Sequence, residues 1–207
     1  QRLGLAVLAL LLLCTAAPAL TFPPLTGRVV DEAGILDAGA RAALEQKLAD
    51  LEAKTADQLV VVTLKSLQGT SIEDFGYQLG RDWGIGQKGK NNGALLIVAP
   101  SERKARIEVG YGLEGTLTDA VTRLILENAV LPRFRVGDYA GGISRGVDDM
   151  VAALSGHAEE FKQRAAQRPD AAPAGVNILV LAFIAVMVFL VLRAMTRGPF
   201  GGHGARA

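Results

Sequence analysis

Two apolar runs divide this chain, and they leave only the stretch between them free to fold in water. Residues 3–14 contain a single non-apolar residue, Gly4, and residues 176–192 contain a single one, Asn177. The first run follows Arg2 and leads into Thr15-Ala-Ala-Pro-Ala19, whose Ala17-Pro18-Ala19 supplies a small-x-small cleavage pattern. It is expected to be a secretory signal peptide over residues 1–19, with the initiating methionine outside this sequence. The second run needs only about 20 residues to cross a hydrocarbon core, and residues 174–196 carry one charge, Arg193. A transmembrane helix is expected over 176–194. Arg193, Arg197 and Arg206 lie after it, whereas the five residues before Ala174 carry no basic side chain. The positive-inside rule then places the C-terminus in the cytoplasm and the preceding domain on the periplasmic or extracytoplasmic side.

That division sets the domain boundaries: an exported domain over 20–155, a stalk over 156–175, and a Gly-containing tail over 195–207. Residues 20–155 hold 15 Lys and Arg against 18 Asp and Glu, a net charge of −3. Nucleic-acid recognition normally leaves a basic stripe on the domain, so no nucleic-acid partner is expected. The lone thiol, Cys14, lies in the first apolar run, and the two histidines, His157 and His203, lie beyond the domain. Disulfides, thiolate or zinc sites, and histidine-based catalysis are therefore excluded from it. Chemistry in the domain rests on carboxylates, hydroxyls, backbone amides and hard metal ions.

Hydrophobic periodicity orders the domain. Asp37 is expected to cap a helix whose Leu44, Leu48 and Leu51 share a face and which ends near Thr55. Residues 58–65 have the β-branched, two-sided apolar character of an interior strand. Ser71 with Asp74 resembles a capping box for a short helix carrying Phe75, Leu79 and Trp83. Residues 94–99 and 105–110 form the arms of an antiparallel hairpin. Thr116 with Asp119 resembles a further capping box ahead of Val121, Leu124, Ile125 and Leu131, and Asp138 opens a last helix bearing Ile143, Val147, Val151 and Leu154. The neighbouring pair Asp148 and Asp149 reads as a solvated face. The order α-β-α-β-β-α-α predicts an α/β fold, a three-layer α/β/α sandwich on a mixed sheet with a parallel β-α-β unit plus the hairpin.

Two stretches match G-x-G-x-x-G: Gly84-Ile-Gly86-Gln-Lys-Gly89 and Gly110-Tyr-Gly112-Leu-Glu-Gly115. The first lies after a helix and before a strand. The second leaves a strand and enters a helix, but that strand is a hairpin arm and no βαβ unit follows, so no NAD is expected; nor is haem or zinc. Gly110, Gly112 and Gly115 remain candidates for an anion loop, in which glycines let backbone N–H groups approach a phosphate. Glu114 would repel a bare phosphate, and a bridging Ca²⁺ or Mg²⁺ would reverse that sign. Oxygen ligands for such an ion stand at Asp31, Asn91, Asn92 and Glu114, with Glu32 and Asp138 as further loop carboxylates. The exposed, polar stretch from Gly86 through Lys88 and Lys90 is a candidate partner-binding loop.

Four blocks carry a family resemblance: Leu25-Thr-Gly-Arg-Val-Val-Asp-Glu-Ala-Gly-Ile-Leu36, Asn92-Gly-Ala-Leu-Leu-Ile-Val-Ala99, Arg106-Ile-Glu-Val-Gly-Tyr-Gly-Leu-Glu-Gly-Thr-Leu-Thr-Asp119 and Phe134-Arg-Val-Gly-Asp-Tyr-Ala-Gly-Gly-Ile143. In order, they resemble the blocks of the TPM domain family over residues 25–154. The arrangement of signal peptide, domain and membrane helix is similar to that of the bacterial membrane-anchored members. The resemblance implies a compact α/β/α fold. It also implies divergent functions, because some plant thylakoid-lumen relatives are described as acid phosphatases that bind divalent cations, whereas animal relatives act as auxiliary receptor subunits. Asp31 and Glu114 keep acidic residues where the family has them, and would be the catalytic pair of a phosphatase. Asn91 departs from the family's Asp-Asn-Gly, which removes one carboxylate from such a site.

Two functions therefore compete. One is a membrane-tethered module that binds an envelope protein in assembly or quality control, with a divalent cation ordering its loops. The other is a metal-dependent acid phosphatase acting on phosphomonoesters.

Overall fold

The computed structural model describes residues 20–156 together with 187, 189, 190 and 193. The chain divides into two compact units, residues 1–167 and 168–207. Of the second, the four described residues are helical and exposed. The expected signal peptide, most of the stalk, most of the transmembrane helix and the tail lie outside the described residues. Among the described residues no helix is long and apolar enough to cross a membrane.

The domain is built on a four-stranded mixed sheet in the order β1-β2-β3-β4, with β1 at Val29–Asp31, β2 at Gln58–Thr63, β3 at Gly93–Ala99 and β4 at Lys104–Val109. The expected strands become β2, β3 and β4. β2 and β3 run parallel, with Gln58 opposite Gly93, and β3 and β4 run antiparallel, with Ala99 opposite Lys104. The sequence reading missed β1, a three-residue strand that pairs parallel to β2 with Asp31 opposite Thr63. It is too short to show periodicity, and its pairing partner lies some 30 residues away.

Helix α1, Ala38–Thr55, starts where Asp37 accepts the Ala40 N–H at 2.7 Å, and buries Leu44, Leu48 and Leu51. Helix α2, Ile72–Trp83, starts where Ser71 accepts the Asp74 N–H at 3.0 Å. The helix expected to begin at Thr116 is capped two residues later, by the Thr118 hydroxyl on the Val121 N–H. It is also not one helix. α3, Asp119–Ile125, passes into a π-helical turn at Leu126–Val130 and then into α4, Leu131–Arg135, which takes Pro132 in its first turn, where a missing N–H costs nothing. α5, Tyr139–Leu154, is capped by Asp138 on the Gly141 N–H at 2.9 Å.

Alternation along the central strands builds a core on each face of the sheet, as the three-layer sandwich requires. Val61, Leu96, Val98 and Ile107 meet α1, α3, the π turn and α5 on one face. Val60, Val62, Leu95 and Ile97 meet α2 through Phe75 and Leu79 on the other. That second face carries one helix and a strap from residues 20–23. Phe22 packs edge-on to Phe75 at 5.2 Å, Gln68 donates to the Thr21 carbonyl at 2.6 Å, and the Trp83 indole donates to the Pro23 carbonyl at 2.8 Å. The pair Asp148 and Asp149 is only half a solvated face. Asp148 forms an ion pair with Lys47 that ties α5 to α1, and Asp149 is 4% exposed.

Candidate functional site

The sequence candidates separate onto the two ends of the sheet. Asp31 closes β1, beside the last residue of β2. Its carboxylate accepts the Ile35 N–H at 3.2 Å, the Leu36 N–H at 3.0 Å and the Thr63 hydroxyl. Thr63 in turn accepts the Ala33 N–H at 3.1 Å, and its carbonyl accepts the Glu32 N–H at 3.0 Å. Both Asp31 oxygens are thus spent on the turn that leads into α1, as Asx-type turns spend them. Glu32 is exposed and pairs loosely with Lys65 at 3.9 Å.

At the opposite end, three loops meet through glycine. A Cβ on Gly110 would strike the carbonyls of Asn91 and Gly93, and one on Gly112 those of Lys90 and Asn91. A Cβ on Gly93 would strike Ile85, and one on Gly86, whose φ is +103°, would strike the Gly93 nitrogen. Their need for bare backbone is steric, and it consumes the amides as well. Gly110 N–H donates to Gly93 at 2.8 Å, Gly112 N–H to Asn91 at 3.1 Å, and Leu113 N–H to Gly110 at 2.9 Å. An anion offered to Gly110, Gly112 and Gly115 finds the first two amides already committed. Gly115 stands in open space.

Asn92, 6% exposed, holds this end to the α1–β2 connection. Its amide oxygen accepts the Gln87 N–H at 2.9 Å, while its NH₂ donates to the Ala56 carbonyl at 2.7 Å and to Asp57 at 3.2 Å. Gln58 adds a second tie by accepting the Gly86 N–H at 2.8 Å. Sequence reasoning missed Asp57 and Gln58. No sequence signal marks them, because Ala56, whose φ of +64° turns the chain sharply into β2, is not a residue type that announces such a turn. Asn91 adopts φ +51° and is exposed, as are Lys88, Lys90 and Glu114.

The separation decides what the carboxylates can do together. Asp31 lies opposite Thr63, and Gly93 lies opposite Gln58, so the two ends stand apart by the length of β2. Five steps at ~3.3 Å is about 16 Å, whereas the oxygen shell of one Ca²⁺ spans about 5 Å. Asp31, Asn91, Asn92 and Glu114 do not fit a single ion, and Asp31 and Glu114 do not flank a single substrate. Among the described residues no group of three or more His, Cys, Asp or Glu side chains is placed to hold a metal.

A groove of about 640 Å³ lies elsewhere, between the tip of the β3–β4 hairpin and α4, and of the sequence candidates Asp138 alone borders it. Arg103, Lys104 and Arg135 line it beside Phe134 and Tyr139, whose rings lie 4.9 Å apart. At its rim Arg133 donates to Asp138 at 2.7 Å. That bond, followed by the one from the Gly141 N–H, holds the Asp138 carboxyl below the usual aspartate range. On the hairpin turn the Leu67 N–H, at 2.8 Å, likewise pulls Glu102 below the usual glutamate range, with Ser66 adding to it. The cations of this groove are scattered over the hairpin and α4, so no local motif marks them.

The comparisons with known proteins agree with this architecture. Residues 29–153 match the TPM domain. The solution NMR structure of the N-terminal domain of a protein from P. gingivalis is 39% identical, over 65% of this chain and 85% of that one, with a TM-score of 0.60. The NMR structure of the BA42 protein from the psychrophilic bacterium Bizionia argentinensis shares the fold, at 20% identity over 59% of this chain and 83% of that one, with a TM-score of 0.53. No curated protein matches the chain at a significant level. With its blocks in order and the family match spanning β1 to α5, the chain belongs to the TPM domain family.

Proposed function

We propose that this chain is a single-pass membrane protein whose TPM domain, on the extracytoplasmic side, binds an envelope protein in assembly or quality control. One observation carries the reading. Tyr111, 82% exposed, stands on a 3₁₀ turn at Tyr111–Leu113 that is locked to the Asn91 and Gly93 carbonyls, beside the exposed Lys88 and Lys90. An amphipathic aromatic on a turn whose backbone is held in place, next to a loop bearing exposed cations, is the composition of an interface anchor. The residues that would make a hydrolase, Asp31 and Glu114, lie at opposite ends of the sheet.

The test is crosslinking of the full chain in its membrane. Tyr111→Ala and the pair Lys88→Glu with Lys90→Glu are expected to abolish the crosslinked partner while leaving the melting temperature unchanged. Retention of the partner in both would overturn the reading. A divalent cation, Ca²⁺ or Mg²⁺, belongs in it only at the Asn91 and Glu114 end. Cation-dependent stabilisation should then survive Asp31→Ala and vanish in Glu114→Ala.

The rival, a metal-assisted phosphomonoesterase, is favoured by the cationic groove of Arg103, Lys104 and Arg135. Its lining contains no carboxylate and only the Tyr139 hydroxyl, so it offers charge to an anion without a base or a metal ligand. Hydrolysis of an aryl phosphate, abolished by Arg103→Ala with Arg135→Ala in a folded protein, would decide for the rival at this groove.

A further inference from the structure

β1 and β4 are the two edges of the sheet; α1 covers the outward groups of Val29 on the three-residue β1, whereas nothing covers those of the longer β4 among the described residues. On β1, the outward N–H of Val29 donates to Glu45 of α1 at 2.8 Å, and its carbonyl accepts Arg41 at 3.4 Å; the Arg28 N–H also reaches Glu45, at 3.2 Å. On β4 the ladder alternates. Gly110 donates to the Gly93 carbonyl, which fixes Lys104, Arg106 and Glu108 as the residues bonded to β3. The N–H and C=O groups of Ala105, Ile107 and Val109 therefore point away from the sheet, and among the described residues they have no partner.

We propose that the β4 edge pairs with the β4 edge of a second copy of this chain, in antiparallel register about a two-fold axis at Ile107. The register follows from the residues. Only Ala105, Ile107 and Val109 have outward backbone groups, so Ile107 must exchange hydrogen bonds with Ile107 of its mate, and Ala105 with Val109. Between these pairs fall the non-bonded positions, where side chains of facing strands come closest. There, Arg106 of each copy stands opposite Glu108 of the other, twice over. Every other register that bonds these outward groups pairs fewer of them, so Lys-Ala-Arg-Ile-Glu-Val is complementary to its own antiparallel copy.

Two further observations fit. Within one copy Arg106 already pairs with Glu108 at 2.7 Å and, weakly, with Glu73 of α2 at 3.9 Å, so the charges are formed at the edge and need only be shared with the mate. One turn on from Glu73, Tyr77 is 55% exposed with Arg81 over its ring at 5.6 Å. A residue at i+4 shares the face of residue i, so Tyr77 overhangs the same edge, where the mate's α2 would cover it. An exposed edge of this kind is a template for strand pairing. Here, charge placement selects the partner.

The test uses the full chain with Cys14→Ala, which removes its native thiol. Copies carrying Arg106→Cys are mixed with copies carrying Glu108→Cys and oxidised. Facing positions lie about 4.5–5.5 Å apart between Cα atoms, within disulfide reach, whereas 106 to 106 lies at about 7–8 Å. The mixture is expected to give at least about tenfold more disulfide dimer than either variant alone. Equal yields from all three would overturn the proposal. So would crosslinking of position 106 to an unrelated chain, since β4 would then be the seat of a different extended partner. In sedimentation, Arg106→Glu sets like charges against each other and is expected to weaken dimerisation about tenfold, with Arg106→Glu/Glu108→Arg restoring it. If the single variant unfolds, the disulfide yields decide. A wild-type chain that stays monomeric at every concentration it tolerates would also overturn the proposal.

Discussion

At the C-terminal end of β1 and β2, side-chain oxygens do the holding: Asp31 and Thr63 together receive the backbone of residues 33, 35 and 36. At the start of β3, Asn92 and Gln58 add side-chain ties, but the loops meet through the absence of side chains, with Gly86, Gly93, Gly110 and Gly112 letting three strips of backbone touch. Both ends carry the residues that look like chemistry in the sequence, an aspartate at one and glycines with asparagines at the other. Both use them to close loops. The difference is in tolerance, because hydrogen-bonding side chains can be replaced by water or a neighbour, whereas a Cβ in a backbone contact has nowhere to go.

The largest test of that contrast is Gly112→Ala. A methyl group there overlaps the Lys90 carbonyl, and the loops must part, so a loss of about 3 kcal/mol or more is expected in denaturant unfolding. Asn92→Ala should follow at about 2–3 kcal/mol, because it leaves a hole at a buried side chain and strips partners from the half-buried Gln87 N–H and Ala56 carbonyl. Asp31→Ala, which frees two half-buried N–H groups within reach of solvent, should cost about 1–2 kcal/mol. A Gly112→Ala protein as stable as Asp31→Ala would erase the distinction between the two ends.

The smallest effect concerns pH. Glu102 bonds the Leu67 N–H and is held below the ordinary glutamate range, so its contribution is present above the unfolded value and is lost as pH falls through the lower folded one. Glu102→Gln should flatten the acid limb of the stability curve by less than about 1 kcal/mol, read as the change in urea midpoint between neutral and acid pH.

Much of the fold is legible in the sequence. Asp37, Ser71 and Asp138 announce helix starts because capping is local chemistry, and β2 and β3 announce themselves as unbroken apolar runs because both their faces are covered. β1 is not legible, and the separation of the candidate residues follows from it. Once Val29–Asp31 is a strand parallel to β2 and β3, a residue that ends it and residues that precede β3 must lie at opposite ends of the sheet. Without it, Asp31 and Asn91 read as neighbouring loops. The pair Asp148 and Asp149 resists the same kind of reading, since helical periodicity places residues on a face but cannot say that one of two neighbouring aspartates is buried and the other tied to α1 through Lys47. The glycine contacts link residues 86, 93, 110 and 112, and no periodicity in the chain connects them.

The seal on β1 has a consequence in the terms of polymer chemistry. A sheet with two open edges is a bifunctional monomer, and it grows into fibres of unlimited length. On the proposed β4 pairing, Glu45 and Arg41, by occupying the outward groups of Val29, would leave β1 little backbone to extend, so strand addition would end after one step, and removing Glu45 is the substitution that would turn a terminating unit into a propagating one.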